Sequence, residues 1–405
     1  MKILVLNCGS STLKFELIET GGPSSSIGEH RKLARGIVER IGDTASLRFE
    51  PASSPKKEES TLVRDHGEAV GKVIEWLKSY PDLRTFDAVG HRVVHGGDQF
   101  TSSVLIDERV INTLDSLCDV APLHNPTSVS GIRAARTLLG GAIPMVAAFD
   151  TSFHRTIPDQ ASTYAIPHEL SLKHHIRRYG FHGLAHQYAA LRYSELTGTP
   201  RERVNVVTIH LGNGCSACAI RDGRSVDTSM GFTPLEGLVM GTRSGDLDPA
   251  LVSYLAKEER VDVAEVEIWL NKRSGLLGIS GYSNDMRELI AACEANPRAR
   301  LAVNVFCYRA RKYLGAYLAV LGAAEAVIFS GGIGENSPLV RQKICENMEW
   351  CGLQLDAPAN AATLGKDGRI SAPDSKLNAF VIRSDEELII ARETALLVGT
   401  GGHHV

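Results

Sequence analysis

The chain carries the same short pattern twice, at positions separated by half its length. The first copy is Asn7-Cys-Gly-Ser-Ser-Thr-Leu-Lys-Phe15, and the second is His210-Leu-Gly-Asn-Gly-Cys-Ser-Ala-Cys218. Gly9 aligns with Gly212 without a gap, so the offset is 203 in a chain of 405 residues. Each copy predicts two strands joined by a turn of small residues, and the repeat predicts two lobes of similar architecture.

Turns of this kind are suited to binding phosphate. Their backbone N–H groups and hydroxyls converge on an anion without needing a bulky side chain. Two such turns that offer donors to one polyphosphate are typical of a nucleotide-dependent phosphotransferase. Two unrelated hairpins with small-residue turns are the alternative, which the matched spacing disfavours.

The composition argues against several other classes of protein. The 405 residues, 43% of them hydrophobic, exceed what one core ordinarily holds, so two domains are expected. Lys and Arg (44) nearly balance Asp and Glu (47), which disfavours nucleic acid or an anionic membrane as a partner. Apolar runs are too short for a membrane helix or a secretory signal.

The eight cysteines are expected as buried thiols of a cytoplasmic protein rather than as disulfides. Cys215 and Cys218 have the CxxC spacing of some zinc sites. In a strand, however, positions i and i+3 point to opposite faces, so we expect no metal there.

Apolar runs and helical patterns alternate along the chain, which predicts an α/β fold. Buried strands are expected at Ala88–His95, Met145–Asp150, Val204–Leu211, Ala326–Ser330 and Phe380–Arg383. Helices are expected at Asp65–Tyr80, from an N-cap at Asn125 to Gly140, at Gly183–Thr197 and at Leu301–Leu321. The polar stretch Pro51–Ser60 is expected as a solvated loop or hairpin tip. We expect an N-terminal lobe at 1–150, joined by the C-terminal helix 385–405, and a C-terminal lobe at 151–384.

Polar groups lie at the ends of several predicted strands. Arg92 interrupts a strand that otherwise requires burial, and a buried arginine needs an anion. Asp150 follows another strand at the edge where open α/β sheets bind ligands, although an N-cap role is equally simple. His124 and His182 each precede a helix, where they are either structural residues or donors to a bound anion.

Two glycine-rich segments also stand out. Asp227–Pro249 has no sustained period, yet its apolar residues argue against disorder, and Arg243 lies at its centre, either to bind a ligand or to cap a loop carbonyl. Gly331–Asn336 follows a strand without a P-loop lysine, and its glycines would let the backbone lie against a base or ribose. Ser384 and Glu387 have the spacing of a capping box, which places Glu386 in the first helical turn.

Together these segments resemble the motifs of the acetate kinases, in order and in spacing, over nearly the whole chain. The matching segments are NCGSSTLKF (7–15), GHRVVHGG (90–97), APLHNP (121–126), FDTSFH (149–154), YGFHG (179–183), HLGNG (210–214), DTSMGFTPLEGLVMGTRSG (227–245), SGGIGEN (330–336) and DEEL (385–388). The resemblance implies two duplicated ribonuclease-H-like lobes with a nucleotide cleft between them, as in sugar kinases, heat-shock chaperones and actin.

The resemblance also implies a role for each matching residue. Arg92 and Arg243 would hold the carboxylate and the transferring phosphoryl group, beside the essential acid Asp150, while His182 and His124 would stabilise the transition state. Asn7 and Glu386 would place Mg2+ or Mn2+. Contacts to ATP or ADP would come from Ser10, Thr12, Lys14, His210, Leu211, Gly212, Asn213, Gly214, Asn284, Asp285, Met286, Gly332, Ile333, Gly334, Glu335 and Asn336. Val94, Leu123, Phe181 and Pro234 would form a methyl-sized pocket. Departures from the family pattern include Met286, where an aromatic residue is common.

The activity that the resemblance implies is reversible transfer of the γ-phosphoryl group of ATP to acetate, in a homodimer that associates through the C-terminal lobe. A propionate or butyrate kinase differs only in pocket volume and remains an alternative, as does a pyrophosphate-using relative. An alternative from another class is an actin-like or chaperone-like switch ATPase.

Overall fold

The computed structural model describes residues 1–21, 26–118 and 125–400, and the chain divides into two compact units. The first unit comprises Met1–Phe153 and Asp385–Val405, and the second comprises His154–Ser384. The lobes expected at 1–150 with 385–405 and at 151–384 stay a prediction, because compactness alone does not test whether a domain folds independently.

Both units combine strands and helices, as the predicted α/β fold requires, although runs of strands and runs of helices replace a strict alternation. In the first unit the strands are β1 Lys2–Cys8, β2 Thr12–Glu19, β3 Arg31–Glu39, β4 Thr44–Pro51, β5 Lys57–Leu62, β6 Ala88–Val93, β7 Val104–Leu105 and β8 Met145–Phe149, and the helices are α1 His66–Lys78, α2 Glu108–Ser116 and α3 Asn125–Leu139. In the second unit the helices are α4 Asp159–Ser162, α5 His168–Lys173, α6 Gly183–Thr197, α7 Ala250–Glu259, α8 Val263–Lys272, α9 Gly275–Ser280, α10 Met286–Ala292, α11 Pro297–Leu321, α12 Gly331–Asn336, α13 Pro338–Cys345 and α14 Ala357–Ala362. Its strands are β9 Val206–Leu211, β10 Cys215–Arg221, β11 Arg224–Thr228, β12 Ala326–Ser330, β13 Gly368–Arg369 and β14 Asn378–Val381. The last helix, α15 Glu386–Gly399, returns to the first unit.

The two sheets repeat one topology, which confirms the duplication. Their strand orders are β5-β4-β3-β2-β1-β6-β8-β7 and β11-β10-β9-β12-β14-β13. In each sheet, the second strand of an antiparallel hairpin pairs with a further antiparallel strand. The first strand of the hairpin pairs with a parallel strand, which pairs in turn with a second parallel strand. The hairpins also keep the offset of 203: β1 ends at Cys8 and β9 at Leu211, while β2 begins at Thr12 and β10 at Cys215.

The first sheet is covered by helices on both faces, so β1, a central strand between antiparallel β2 and parallel β6, is apolar on both sides. On one face α1 packs over a core in which Phe49 stacks between Phe15 and Trp76, at centroid distances of 5.8 and 5.3 Å. On the other face α15 packs closely, since a Cβ on Gly90 would lie 2.6 Å from Ile390 Cγ2. This close approach places the first turn of α15 near the end of β1.

Several element boundaries differ from the sequence-based ones. Strand β6 ends at Val93 rather than His95, β9 begins at Val206 rather than Val204, and β14 lies two residues earlier than expected. Helix α11 begins at Pro297, because Asn296 caps it by accepting from two backbone N–H groups. Of the stretch 51–60, residues 52–56 form the expected hairpin tip between β4 and β5, whereas Pro51 ends β4 and residues 57–60 belong to β5.

Two predicted caps are wrong. The helix expected to follow an N-cap at Asn125 begins at Asn125 itself, whose amide bonds the backbone N–H and carbonyl of His95 at 3.1 and 3.0 Å. The N-cap of α15 is Asp385 rather than Ser384, and its carboxylate accepts from Leu388 N. Ser384 Oγ instead accepts from Gly331 N at 3.0 Å. Neither residue acts as the N-cap, because its side chain hydrogen-bonds a backbone group that is far away in the sequence.

Among the helices of the described residues, none combines the length and the apolarity that crossing a membrane requires.

Candidate active site

Arg92 and Asp150 form a buried ion pair in the first unit. Their strands β6 and β8 are parallel neighbours, and Asp150 directly follows the last residue of β8. Arg92 Nε and Nη2 donate to the two carboxylate oxygens of Asp150 at 2.9 and 2.6 Å, a bidentate pair. The Asp150 side chain is 1% exposed, so the guanidinium offsets a large desolvation cost. The N-cap alternative for Asp150 is therefore unnecessary.

Neighbouring carboxylates keep the guanidinium of Arg92 protonated. Burial acts to lower the pKa of Arg92, but the carboxylates of Asp150 and Glu386 outweigh that effect and raise it. Glu386 Oε2 lies 3.7 Å from Arg92 Nη1. The guanidinium therefore stays cationic at any pH at which the protein is folded.

Asn7, at the end of β1, is oriented from both sides of its amide. Arg92 Nη1 donates to Asn7 Oδ1 at 3.2 Å, and Asn7 Nδ2 donates to Glu387 Oε1 at 3.1 Å. The two hydrogen bonds fix the orientation of the amide, with Oδ1 toward Arg92 and Nδ2 toward Glu387. Sequence reasoning missed this role of Glu387, which it had assigned to a capping box.

Oxygen ligands for a hard cation surround Arg92. They are the amide oxygen of Asn7 and the carboxylates of Asp150 and Glu386, the ligand types that Mg2+ prefers. A second acidic group, Glu16 with Asp385 and Glu387, lies beside it. Lys32 Nζ already pairs with two of these three carboxylates, at 2.8 Å from Glu16 and 2.9 Å from Asp385. Burial is the main reason that the pKa of Glu16 rises to about 7.

The glycine-rich segment of the second unit is an ordered loop. No helix or strand lies between β11, which ends at Thr228, and α7, which begins at Ala250, and Met230, Leu238 and Met240 are fully or almost fully buried. A hydrogen bond joins the loop to the turn between β9 and β10, which we call the second hairpin turn. In this bond Gly241 N donates to Asn213 O at 2.9 Å. This confirms the expectation that the segment packs rather than stays disordered.

Arg243, in this loop, is a half-buried cation without a nearby anion within the described residues. Its Nη1 donates to Pro234 O at 3.2 Å, which partly fits the alternative of a carbonyl cap. Within the described ranges, however, no carboxylate lies at ion-pair distance, and burial lowers the pKa of Arg243. One carbonyl uses one of five guanidinium donors. The remaining donors and the uncompensated charge favour binding of an anion.

His182 lies close to Arg243. It immediately precedes α6 in a left-handed conformation, with φ of 56° and ψ of 24°. Its Nδ1 is 2.9 Å from Ser216 Oγ, and its ring lies 4.9 Å from that of His210. A Cβ on Gly214 would lie 3.4 Å from His182 Nε2 and 3.8 Å from Arg243 Nη1. The imidazole and the guanidinium therefore converge beside the second hairpin turn.

A cavity of about 860 Å³ opens in the second unit, next to the same turn. It brings together eight residues that were expected to bind nucleotide: Gly212, Asn213, Asn284, Asp285, Met286, Gly332, Ile333 and Asn336. Residues of α10 and α13 that sequence reasoning missed complete it, including Ile290 and Leu339. The apolar members of this lining suit a flat heterocycle.

Five other residues of the second unit that were expected at this site do not line the cavity. His210 bonds Ser330, and Leu211 is fully buried beneath Gly331. Gly334 is buried, and Glu335 Oε1 accepts from Ser384 N at 2.8 Å. Gly214 lies beside His182, as described above.

The remaining site residues are spread over both units. Thr12 begins β2, and Ser10 and Lys14 are exposed at the first hairpin. Val94 follows β6 in the first unit, whereas Phe181 is buried in the second. Leu123 and His124 lie outside the described residues.

We expect Gly331→Ala to destabilise the second unit by about 1–3 kcal/mol, because Gly331 has φ of +76° and a Cβ would lie 2.6 Å from Leu211 O. Gly332→Ala is the matched control, since nothing lies within 4 Å of a Cβ there. Urea denaturation of both variants measures the difference. Equal midpoints would contradict the strain assigned to Gly331.

Comparison with known proteins gives consistent relatives over the whole chain. The family model of the acetokinase family matches residues 2–392. An acetate kinase from Solibacter usitatus is 51% identical over 97% of each chain. A crystal structure of Porphyromonas gingivalis acetate kinase, 40% identical, covers 98% of this chain and 99% of its own with a TM-score of 0.89.

A crystal structure of a propionate kinase from Francisella tularensis is nearly as similar, at 39% identity and a TM-score of 0.89 over 97% of this chain and 98% of its own. A family model that spans almost the whole sequence, together with relatives at these identities, leaves one assignment: the chain belongs to the acetokinase family.

Proposed function

We propose that the protein is a magnesium-dependent acetate kinase that transfers the γ-phosphoryl group of ATP reversibly to acetate. Direct in-line displacement would give acetyl phosphate and ADP. Membership of the acetokinase family supports the reaction class. The observation that carries the proposal is Arg243, a half-buried guanidinium that lacks a carboxylate partner within the described residues and lies beside His182.

The chemistry of phosphoryl transfer accounts for such a cation. The transition state spreads negative charge over three equatorial oxygens, so catalysis depends on positioning and on preorganised positive charge. Arg243 has free donors for such an anion, and Arg92 is held rigidly by Asp150. We assign to these two arginines the acetate carboxylate and the transferring phosphoryl group, and to His182 a donor in the transition state.

Asn7 and Glu386 are proposed to hold the divalent ion. Their oxygens fit Mg2+, or Mn2+, as a hard cation that needs only one or two protein ligands besides phosphate. When bound, the ion neutralises phosphate charge. Glu387 contributes by keeping the Asn7 amide in one orientation.

The cavity beside Asn213 supports ATP rather than pyrophosphate as the phosphoryl donor. Gly332, Ile333 and Asn336 line it, so the glycine-rich segment that would accommodate adenosine is present. A homodimer and a cytoplasmic location are further parts of the proposal. The dimer derives from the family resemblance and the location from the eight cysteines, which are expected as thiols. Gel filtration with light scattering tests the dimer.

Trapping acyl phosphates with hydroxylamine tests the proposal. Purified protein is incubated with ATP, Mg2+ and either acetate, propionate, butyrate or no acid. We expect acyl hydroxamate in greatest yield with acetate and none without acid. Greater yield with propionate would favour the propionate kinase alternative, which the Francisella relative keeps open. Release of phosphate from ATP without hydroxamate from any acid would favour a switch ATPase.

A further inference from the structure

His182 is the outermost member of a continuous chain of hydrogen-bonded side chains in the second unit. Its Nδ1 contacts Ser216 Oγ at 2.9 Å, and the same oxygen contacts His186 Nε2 at 2.8 Å. On the far side of the second ring, His186 Nδ1 contacts Thr208 Oγ1 at 2.7 Å. We call Thr208, His186 and Ser216 the positioning chain.

The secondary structure explains why these groups meet. His182 immediately precedes α6 and His186 lies in its first turn, and both rings contact the hydroxyl of Ser216. Thr208 on β9 pairs with Cys218 on β10, so Thr208 and Ser216 lie diagonally on one face of the sheet. Helix α6 packs its two imidazoles against that face.

The chain lies entirely inside the protein beyond His182. His186, Ser216 and Thr208 are each 0% exposed. Burial, followed by the influence of His154 and His210, lowers the pKa of His186 well below its usual value. The His186 ring is therefore neutral, with one nitrogen that donates and one that accepts. Each short contact can then be a hydrogen bond, and the three buried groups satisfy one another.

The chain also determines which nitrogen of His182 faces the site. Because Nδ1 is engaged by Ser216, Nε2 is the nitrogen that lies on the side of Gly214 and Arg243. An imidazole that lost this anchor could turn about its Cβ–Cγ bond and exchange nitrogen for carbon at that position. Hydrogen-bonded neighbours that fix a functional histidine in this way contribute to activity without touching the substrate.

We propose that Thr208, His186 and Ser216 position the imidazole of His182 for phosphoryl transfer. This inference rests on the proposed function. Ser216 acts directly on the ring, whereas His186 and Thr208 act through Ser216. They are positioning residues, since the structure gives them no access to the substrate.

The test is a double-mutant cycle between Ser216 and His182. We expect Ser216→Ala to lower kcat about tenfold, the effect of one lost hydrogen bond, with the KM values for ATP and acetate changed by less than about twofold. In the His182→Ala background, the same substitution should lower kcat no further, because the group it positions is gone. Additive effects, or an unchanged kcat in Ser216→Ala, would overturn the proposal.

Ser375→Ala is the matched control for a lost buried hydroxyl. Ser375 is 8% exposed, and its Oγ donates to Leu377 O and accepts from Gln354 N, away from the chain. The Ser375→Ala variant should lose stability but keep kcat.

A pair of substitutions at Thr208 tests the inner end of the chain. Thr208→Ser should retain turnover, because serine keeps the hydroxyl bonded to His186. The isosteric Thr208→Val removes that hydroxyl and should lose turnover. A kcat for Thr208→Val equal to that for Thr208→Ser would count against the chain.

A measurement that does not depend on enzyme activity separates this inference from the proposed function. In 15N spectra of the histidine side chains, Ser216→Ala should shift the Nδ1 resonance of His182, and Ser375→Ala should not. An unshifted Nδ1 resonance would overturn the positioning chain even if the enzyme makes acetyl phosphate. A shifted resonance in a protein that makes no acyl phosphate would support the chain and reject the proposed function.

Discussion

Arg243→Ala is expected to lower kcat for acetyl phosphate formation by about 10³ to 10⁵, the range for an arginine that stabilises phosphoryl-transfer charge. The loss corresponds to roughly 4–7 kcal/mol of transition-state stabilisation. Arg243 carries a half-buried charge without a carboxylate partner in the described part of the chain, so its removal leaves no protein anion unpaired. We therefore expect the variant to fold with near-normal stability.

Steady-state kinetics with ATP, Mg2+ and acetate measures this effect. Arg243→Lys should recover only part of the activity, because an ammonium keeps the charge but not the planar fork of donors. Arg273→Ala is the control, since the Arg273 side chain is 68% exposed and its nearest acidic partner lies 3.9 Å away. A folded Arg243→Ala variant with normal turnover would rule out the assigned role.

Arg92→Ala is expected to remove both activity and stability. It leaves the Asp150 carboxylate, 1% exposed, without the guanidinium that binds it bidentately. Breaking a buried pair from one side costs about 3–5 kcal/mol of unfolding free energy. The loss of a positioned cation should also lower kcat by about 10³ to 10⁵.

A double substitution separates the two losses. Arg92→Met combined with Asp150→Leu removes both charges, and replacing a buried ion pair by apolar residues is often neutral for stability. We expect the double variant to recover most of the unfolding free energy in urea while it remains inactive. If it recovered turnover together with stability, the pair would be structural only.

The repeat and the strands were predictable because they depend on local pattern. A buried strand needs an unbroken apolar run, and a tight hairpin turn needs small residues. Both signals occur twice in the sequence at an offset of 203 residues, and the same offset separates β1 and β2 from β9 and β10. The same holds for the interval between β11 and α7, where glycines and the missing period predicted a loop and its apolar residues argued against disorder.

The caps and the supporting contacts were not predictable, because tertiary partners decide them. Asn125 and Ser384 have the residue types of N-caps, yet each bonds a backbone group far along the chain. Glu387 bonds Asn7 across 380 residues, and Ser216 bonds His182 across 34. Sequence spacing carries no signal for such pairs.

The central claim is that acetate attacks the γ-phosphorus of ATP on this protein. The direct measurement is 31P NMR of a reaction that contains ATP, Mg2+ and acetate labelled with 18O in its carboxylate. We predict an acetyl phosphate resonance displaced by one 18O bonded to phosphorus, since a carboxylate oxygen becomes the bridging atom. Inorganic phosphate as the sole new product, with no acetyl phosphate at any time, would contradict the account.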